Sequence, residues 1–327
     1  MAQILVVGSL NMDLVALAPR LAGPGETLIG DSYFTAGGGK GANQAFAAAR
    51  LGGDVAMFGR VGDDHYGTLL RADLAGAGCD VGAVASVAGP SGVALILVSR
   101  EGQNAIVVVP GANAALSPGD IAAEAARFAG ARYVLLQLES PLETVVAAAC
   151  AARTAGGAVI LDPAPAVPDL PAALFGAVDY LTPNESEAQQ LCGRAPGPLS
   201  LQDAAGLAMQ LRDRGPRHVI LKLGARGCLI ADARGATLVA APAVEVRDTT
   251  AAGDVFNGAL AVALSEGAAL EKACAIACQA AALSVQHLGA QPSMPSRADL
   301  DAALAAQGQA ALPINLAIAD DGFCHRI

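Results

Sequence analysis

Short apolar runs alternate along the chain with longer, alanine-rich stretches. The runs at residues 3–8 (QILVVG), 132–138, 158–162, 178–182 and 218–223 are typical of buried strands. Between or beside them lie predicted helices at residues 41–51, 68–77, 117–129, 141–155, 184–191 and 201–214. Strands that alternate with helices of this length are joined by right-handed crossovers, which keep the strands parallel. The pattern therefore predicts an α/β fold, a three-layer α/β/α sandwich with a mostly parallel central sheet.

Two segments depart from this alternation. Residues 13–36 and 91–109 are rich in β-forming residues, with glycine and proline between the runs and no helix. Residues 93–98 and 105–109 flank a polar stretch at 100–102, which predicts a hairpin. We expect the two segments to form a small β-sheet lid beside the main sheet. The rest of residues 1–307 is predicted to be one unit, and residues 308–327 a C-terminal extension of unknown role.

Composition excludes several classes of function. The 327 residues include 20 Lys and Arg against 30 Asp and Glu, a net charge of −10, and no Trp. Nucleic acids and anionic membranes require concentrated positive charge, so neither is expected as a partner. No apolar stretch is long enough for a spanning helix, and the N-terminus lacks a basic signal-peptide region. The seven cysteines are scattered without CxxC pairs, which predicts a reduced, cytoplasmic protein.

The strongest local motif is DTTAAGD at residues 248–254. A strand-like run at 244–247 precedes it and an apolar helical run follows it. A helix N-terminus with small residues at Ala251, Ala252 and Gly253 would let an anion approach unpaired backbone N–H groups. Asp254 there is either an N-terminal cap of the helix or a general base for a hydroxyl that attacks phosphate. Asp248 either binds a cation or ends the strand.

A glycine-rich sequence, GGGKGANQ at residues 37–44, opens the first long helix. It is not a Walker loop, because Gly41 rather than Ser or Thr follows Lys40. The loose GxGxxA spacing also occurs in dinucleotide sites, although here it does not follow the first buried strand. The two other interpretations are a backbone that packs against a small polyol, with Lys40 and Asn43 as donors, and a helix start that only requires tight turns.

Polar residues follow several predicted strands at the edge where α/β proteins bind ligands. Asn11 and Asp13 follow the first strand, Glu139 follows the run at 132–138, and Asn184 with Glu187 follows the run at 178–182. Each alone is as consistent with a turn or helix cap as with a ligand-binding group. KLGARG at 222–227 ends another strand and is either a nucleotide-binding turn or a tight hairpin. The four histidines lack metal-like spacing.

Taken in order, these motifs resemble those of the ribokinase-type sugar kinases over about residues 3–300. The resemblance rests on GSLNMD (8–13), GGKGANQA (38–45), DPAPA (162–166), TPNESEA (182–188), KLGARG (222–227), DTTAAGDVFNGA (248–259) and GAQPSMP (289–295). It implies an ATP-dependent kinase domain over residues 1–307 that phosphorylates O5 of D-ribose, with Mg²⁺ beside ATP and K⁺ as an activator. It also implies a homodimer formed through the lid.

The resemblance assigns roles residue by residue. Asp254 is the implied general base, with an anion hole at Ala251, Ala252 and Gly253. The implied ribose site contains Asn11, Asp13, Gly39, Lys40, Gly41, Ala42, Asn43, Glu139 and Asp254. The implied ATP site contains Asn184, Leu223, Gly224, Ala225, Arg226, Gly227, Cys228, Gly253, Asp254 and Cys278. Cys278 stands where such kinases often carry a histidine beside the adenine.

The implied cation sites lie close to the anion hole. Glu187 is linked to Mg²⁺, and K⁺ would be held by Asp248, Thr250, Ser284, His287, Gly289 and Ser293. Three alternatives stay open. The same transfer could serve deoxyribose, a ketohexose or a nucleoside, or the chain could be a catalytically idle sugar-binding protein. A nicotinamide-dependent oxidoreductase is the third.

Overall fold

Most of the apolar runs form strands in the computed structural model, which describes residues 2–306 and 314–316. The strands are β1 (Ile4–Val7), β2 (Asn11–Ala18), β3 (Ser32–Gly38), β4 (Val55–Gly62), β5 (Asp80–Val87), β6 (Gly92–Ser99), β7 (Asn104–Val109), β8 (Tyr133–Leu136), β9 (Ala158–Leu161), β10 (Tyr180–Leu181), β11 (His218–Lys222), β12 (Cys228–Asp232), β13 (Gly235–Val239) and β14 (Ile314–Leu316). The helices are α1 (Lys40–Arg50), α2 (His65–Gly76), α3 (Pro118–Ala123), α4 (Ala125–Phe128), α5 (Leu142–Thr154), α6 (Ala172–Ala177), α7 (Glu185–Leu191), α8 (Leu201–Arg212), α9 (Ala252–Ser265), α10 (Leu270–Ser284) and α11 (Arg297–Ala306).

The described strands form a ten-stranded sheet in the order β14-β13-β12-β11-β10-β9-β8-β1-β4-β5. Every neighbouring pair from β11 to β5 is parallel, whereas β12, β13 and β14 add on antiparallel. Helices cover both faces, so the predicted mostly parallel α/β/α sandwich is confirmed. Parallel strands have their carboxyl ends at one edge, and that edge carries the site described below.

Alternation along the central strands divides the core into two layers. In β1, Ile4 and Val6 pack into one apolar cluster, with α1, α9 and α10. Leu5 and Val7 pack into the other, with α5 and α8. Successive side chains of a strand point to opposite faces, so a fully apolar run fits a sheet that is buried on both sides.

The two β-rich segments form a separate four-stranded sheet in the order β3-β2-β6-β7. The predicted hairpin is confirmed, because β6 and β7 pair antiparallel from Val93↔Val109 to Val98↔Asn104. One face of this small sheet leaves large apolar side chains exposed, among them Tyr33, Leu95 and Val107. The face therefore differs from an ordinary solvated surface.

Several predicted boundaries were wrong. The strands β4 and β5 were not predicted; Gly59 and Arg60 interrupt the apolar run of β4, and the glycine lets the strand approach the Gly8 carbonyl closely. Residues 244–247 were predicted as a strand and form none, since no strand pairs with them. The helix predicted at 117–129 is divided at Glu124.

The predicted extension at 308–327 lies outside the described residues except for Ile314–Leu316, which pair with β13. Among the described helices, none combines the length and the apolar character that crossing a lipid bilayer would require.

Candidate active site

Polar groups lie at the carboxyl ends of five strands that are neighbours in the large sheet. In sheet order from β11 to β1 they are Lys222, Asn184, Asp162, Glu139 and Asn11. A cavity of about 640 Å³ opens at this edge and is lined by Lys40, Asp162, Asn184, Lys222 and Asp254, among others. The sequence-based expectation that these strand ends converge is confirmed. Asp162 and Lys222 were given no role in that expectation, although each directly ends an apolar strand run.

The glycine-rich segment allows α1 to begin against the end of β1. Gly39 has φ 87°, a left-handed conformation, and a Cβ there would lie 2.7 Å from the backbone nitrogen of Asn11. Gly41 approaches the backbone of Gly8 and Ser9 just as closely, and the Ala42 N–H donates to the Ser9 carbonyl at 2.8 Å. Gly41 and Ala42 are buried in this packing and do not line the cavity.

Glu139 connects three parts of the site. Its Oε2 accepts hydrogen bonds from Ser9 Oγ at 2.6 Å, from the Lys40 backbone N–H at 3.1 Å and from Asn11 Nδ2 at 3.4 Å. The Asn11 amide is itself oriented, because Asn113 Nδ2 donates to Asn11 Oδ1 at 2.8 Å. The predicted residues at β1, β8 and α1 are therefore one hydrogen-bonded group.

Asp13 on β2 is a second carboxylate of the site. The Asp13 side chain packs against Gly38. Any larger residue at position 38 would place its Cβ 2.4 Å from the Asp13 carboxylate oxygens, so only glycine fits there. Burial, followed by the negative charges of Glu139 and Asp254, raises the pKa of Asp13 to about 7. Three acidic groups thus share one region, and a ligand that donates hydroxyl hydrogens would relieve their repulsion.

Asp254 does not cap its helix. The N-cap of α9 is Ala251, and the Asp254 side chain, which is 5% exposed, turns inward. Its Oδ2 accepts from Asn43 Nδ2 and its Oδ1 from Gln44 Nε2, each at 3.1 Å. Of the two interpretations left open by the sequence, the capping one is therefore wrong.

The environment of Asp254 sets its acidity. Burial raises the pKa of Asp254 to about 6, while nearby Lys40 and the two amides oppose that rise. Burial also disfavours the charged form of Lys40, but Asp254, Asp162 and Glu139 outweigh it and raise the pKa of that ammonium group. The lysine therefore stays a cation beside the carboxylate.

A buried ion pair lies on the other side of Asp254. Lys222 Nζ contacts Asp162 Oδ1 at 3.0 Å, and both side chains are largely buried. The ammonium group also lies beside the first turn of α9, since a Cβ built at Gly253 would be 3.2 Å from Nζ. Glycine at 253 thus leaves room for a cation at the helix N-terminus.

The start of α9 is strained. Ala251 has φ 58°, and it is the one described residue other than glycine with a positive φ. The Ala252 N–H already donates to the Thr249 carbonyl at 3.2 Å, so its share in the predicted anion hole is reduced. The N–H groups of Gly253 and Asp254, in the first turn, have no partner within the helix. These N–H groups lie at the N-terminal end of α9, where the Lys222 ammonium group also lies.

A mostly apolar cavity of about 410 Å³ adjoins the polar one. It is lined by Val244, Phe256, Cys278 and Val285, and it shares Lys222, Gly224, Thr249, Ala252 and Gly253 with the polar cavity. The apolar cavity suits a flat apolar ring, and the polar cavity suits charged groups attached to that ring.

Only part of the predicted nucleotide turn lines this cavity. Gly224, Ala225 and Gly227 do so. Leu223 is buried in the core, and Arg226 is instead paired with Glu185 at 2.5 Å. Cys228 is fully buried, with its Sγ 3.9 Å from that of Cys278. The turn is a single 3-10 turn between the antiparallel strands β11 and β12.

Asn184 and Glu187 form a reciprocal capping box at the start of α7. The Asn184 side chain accepts from the Glu187 N–H, and both Glu187 oxygens accept from Asn184, at 2.7 and 2.8 Å. Burial raises the pKa of Glu187, although Lys222 opposes the rise. Both residues line the polar cavity.

Three of the residues predicted to hold a monovalent cation, Asp248, Thr250 and Gly289, are joined by hydrogen bonds, and the other three make local ones. Asp248 accepts from the Thr250 backbone and hydroxyl at 2.9 and 2.6 Å and from the Gly289 N–H at 2.8 Å. Burial opposes ionisation of Asp248, but these hydrogen bonds lower its pKa. The His287 N–H donates to the Ser284 carbonyl, and the Ser293 hydroxyl to the Ala290 carbonyl.

Comparisons with known proteins agree with this geometry. The model of the pfkB family of carbohydrate kinases matches residues 1–297. The chain is 40% identical to the ribokinase of Haemophilus influenzae over 293 residues, covering 89% of this chain and 95% of that one. It is 39% identical to the ribokinase of Bacillus subtilis over 301 residues, covering 92% and 99%.

Solved structures give the same result. The ribokinase of Arabidopsis thaliana, solved with ribose and ATP, aligns with a TM-score of 0.86 at 35% identity and covers 93% of this chain and 98% of that one. The ribokinase of Thermotoga maritima aligns with a TM-score of 0.85 at 37% identity, covering 93% and 100%. The resemblance drawn from the motifs is confirmed: the chain belongs to the pfkB family of carbohydrate kinases.

Proposed function

We propose that this chain is a ribokinase, which transfers the γ-phosphoryl group of ATP to O5 of D-ribose. The observation that carries the proposal is the buried Asp254 carboxylate at the first turn of α9, between Lys40 and the Asp162–Lys222 pair. The high identity to ribokinases over most of the chain supports this substrate. In the reaction the O5–P bond forms, the bond from γ-phosphorus to the ADP oxygen breaks, and the O5 proton passes to Asp254.

The proposed ribose site is the group around Glu139. Carboxylates and amides that are already hydrogen-bonded and fixed can recognise several hydroxyls of a small sugar at little entropic cost. The proposal assigns ribose contacts to Asn11, Asp13, Gly39, Lys40, Asn43 and Glu139. Gly41 and Ala42 would contribute through the packing that fixes this loop rather than by lining the cavity.

Asp254 suits the role of general base. An ordinary carboxylate is a weak base toward an alcohol, but burial raises the pKa of Asp254 to about 6, which brings it nearer to the working pH. In a loose phosphoryl-transfer transition state, the proton can leave late, when the attacking oxygen has become acidic. Fixed positioning by Asn43 and Gln44 then matters as much as basicity.

The start of α9 is the proposed anion hole. Free N–H groups at Gly253 and Asp254, the helix dipole and Lys222 together favour negative charge at this point. The adjoining apolar cavity is the proposed adenine site, with Gly224, Ala225, Gly227 and Cys278 as its lining. Asn184 would lie beside the phosphates.

The residues at the phosphate side fit Mg²⁺ in the form in which it accompanies ATP. Mg²⁺ is commonly held by one or two carboxylates together with substrate phosphates and water. Glu187 offers such a carboxylate at the polar cavity, and no group of three or more metal-ligating side chains occurs within residues 2–306 and 314–316. When bound with ATP, the ion would neutralise charge on the phosphate oxygens.

We further propose K⁺ as an activator. The donor set at Asp248, Thr250, Ser284, His287, Gly289 and Ser293 supplies carbonyl, hydroxyl and carboxylate oxygens, which suit a hard cation. Because this group braces the loop that leads into α9, the ion would act on the anion hole without touching substrate. If turnover is the same in K⁺ and in a bulky organic-cation buffer, this part of the proposal is wrong.

We infer that residues 1–307 act as the kinase domain, that residues 308–327 are an extension to it, and that the small sheet is a lid that excludes water from the reaction. We also infer a homodimer through the exposed apolar face of that sheet and a cytoplasmic location.

The decisive experiment is a sugar panel in a coupled assay for ADP, with and without K⁺. Ribose, deoxyribose, ketohexoses and nucleosides are compared at equal concentration. The proposal expects ribose to give the highest kcat/KM and little ATP hydrolysis without sugar. Preference for a nucleoside or a ketohexose would change the substrate. Sugar binding without any turnover would favour an idle binding protein.

A further inference from the structure

A chain of two buried glutamines reaches the Asp254 carboxylate. Gln44 on α1 and Gln137 after β8 are each 1% exposed. Gln137 Nε2 donates to Gln44 Oε1 at 2.7 Å. Gln44 Nε2 in turn donates to two carboxylates, Asp254 Oδ1 and Asp162 Oδ2, each at 3.1 Å.

The orientation of the Gln44 amide is fixed from both sides. With the amide rotated by half a turn, its oxygen would face two carboxylates and its NH₂ group would face a donor. Gln137 is itself confined, because its Oε1 lies against Gly8, where a Cβ would be 2.0 Å from that oxygen. That oxygen has no hydrogen-bond partner among the described residues, so the amide is held by shape and by its one donated bond.

Gln44 also links the two halves of the site. Asp254 is the proposed base on the sugar side, whereas Asp162 holds Lys222 beside the start of α9 on the phosphate side. One NH₂ group therefore sets the spacing between the base and the carboxylate that positions the phosphate-side cation. Two separate carboxylates without a shared donor would repel each other and move apart.

We propose that Gln44 is a positioning residue for phosphoryl transfer, oriented by Gln137, that holds Asp254 and the Asp162–Lys222 pair at a fixed separation. The inference rests on the proposed function for the role of Asp254. Gln44 does not line the polar cavity, so it acts through the two carboxylates and not on substrate.

The charged groups that face Asp254 come from several elements and are unchanged in the variants below. Lys40 on α1, Asp13 on β2 and Asp162 after β9 act on Asp254 directly, whereas Glu139 after β8, Glu187 on α7 and Lys222 on β11 face those three groups. A change in the acidic limb of the kcat profile therefore reports the lost amide rather than a lost charge.

The test uses Gln44→Met, which keeps the length of the side chain and removes its donor. We expect kcat to fall about tenfold, as for a lost hydrogen bond to a charged group, and the acidic limb of the kcat–pH profile to rise by about one unit. The KM for ATP and the calorimetric Kd for Mg–ATP should rise several-fold, because Asp162 without its Gln44 donor can shift and carry its partner Lys222 away from the start of α9. The KM for ribose should stay at its wild-type value.

Gln279→Met is the matched control, since Gln279 is also a buried helical glutamine but lies on α10, away from the carboxylates. It controls for the replacement of a buried glutamine by methionine, because the Gln279 side-chain oxygen has no hydrogen-bond partner among the described residues, and it should leave kcat, the pH limb and the Kd for Mg–ATP unchanged. If Gln44→Met does not fold, Gln137→Met carries the test, with the same directions and smaller changes.

The outcomes separate the inference from the proposed function. Wild-type enzyme without ribose-dependent ADP formation contradicts the function, whereas the Kd for Mg–ATP still tests the link through Lys222. Active wild type together with a Gln44→Met variant of unchanged kcat, pH limb and Kd overturns the inference alone. A variant that loses affinity for ribose but not for Mg–ATP also overturns it.

Discussion

Burial gives the carboxylates of this site different properties from those of surface acids. Asp13 and Asp254 carry raised pKa values of about 7 and about 6, because each lies among other acids and away from water. Asp162, in contrast, has a buried cation as its partner in Lys222. The site therefore places acids that are costly to ionise where a polyol and a phosphate would each relieve that cost.

This arrangement predicts a pH-dependent stability cost at Asp13. A carboxyl whose folded pKa is raised stabilises the fold fully below its unfolded pKa, and that contribution is lost as the pH rises through the folded value, here about 7. Asp13→Asn should therefore gain about 2 kcal/mol in unfolding free energy relative to wild type between about pH 5 and about pH 8. Denaturant titration without ligands measures it.

Asp232→Asn is the control for this prediction. Burial favours a higher pKa for Asp232, but hydrogen bonds from Arg234 outweigh burial and lower that pKa. The contribution of Asp232 to the unfolding free energy is therefore constant between about pH 5 and about pH 8. Its stability difference from wild type should not vary with pH. An Asp13→Asn difference that is equally flat would mean that Asp13 titrates normally.

At the level of elements, the start of α9 depends on one residue in an unusual conformation. Ala251 is left-handed, which costs an alanine roughly 1 kcal/mol and is more costly for a β-branched residue. Ala251→Val should therefore lose about 1–2 kcal/mol of stability and lower kcat, because the N–H groups that would face the phosphate move. Ala251→Gly should keep wild-type kcat. Thermal unfolding and steady-state kinetics measure both.

A wild-type kcat in both Ala251→Val and Ala251→Gly would show that this turn does not control the reaction. A drop in both would instead show that the methyl group of Ala251 is itself required. Only the first result would contradict a proposed anion hole whose geometry is set by the backbone at residue 251.

The sequence allowed the strand-end residues and the DTTAAGD junction to be recognised, because each follows an apolar run whose direction in a parallel sheet is known. It did not reveal the Asp162–Lys222 pair or the contacts of Gln44. Those contacts join β9, β11, α1 and α9, and their distances depend on how the helices pack on the sheet. The run at 244–247 has strand-forming residues but no neighbour to pair with, so local pattern overpredicted it.

At the scale of the whole molecule, the small sheet carries an exposed apolar surface. On one face of it Tyr33 is 79%, Val107 61% and Leu95 49% exposed, and large contiguous apolar faces of this kind mark interaction surfaces. With a second copy of the chain as the proposed occupant, Val107→Asp should convert a dimer to a monomer in sedimentation velocity. A charged residue at the centre of an apolar interface is strongly unfavourable.

Leu69→Asp on α2 serves as the control, because Leu69 is a partly exposed apolar residue outside the small sheet. It should leave the sedimentation coefficient unchanged. A wild-type chain that is already monomeric at micromolar concentration, or a Val107→Asp variant that stays dimeric, would contradict the proposed dimer.

The central claim is that Asp254 removes the proton from the sugar hydroxyl as the phosphoryl group is transferred. The most direct measurement is kcat for Asp254→Asn, together with the calorimetric Kd for ribose. We predict that kcat falls at least about 10²-fold while ribose still binds. A variant with kcat near that of the wild type would contradict the assignment of Asp254 as the base.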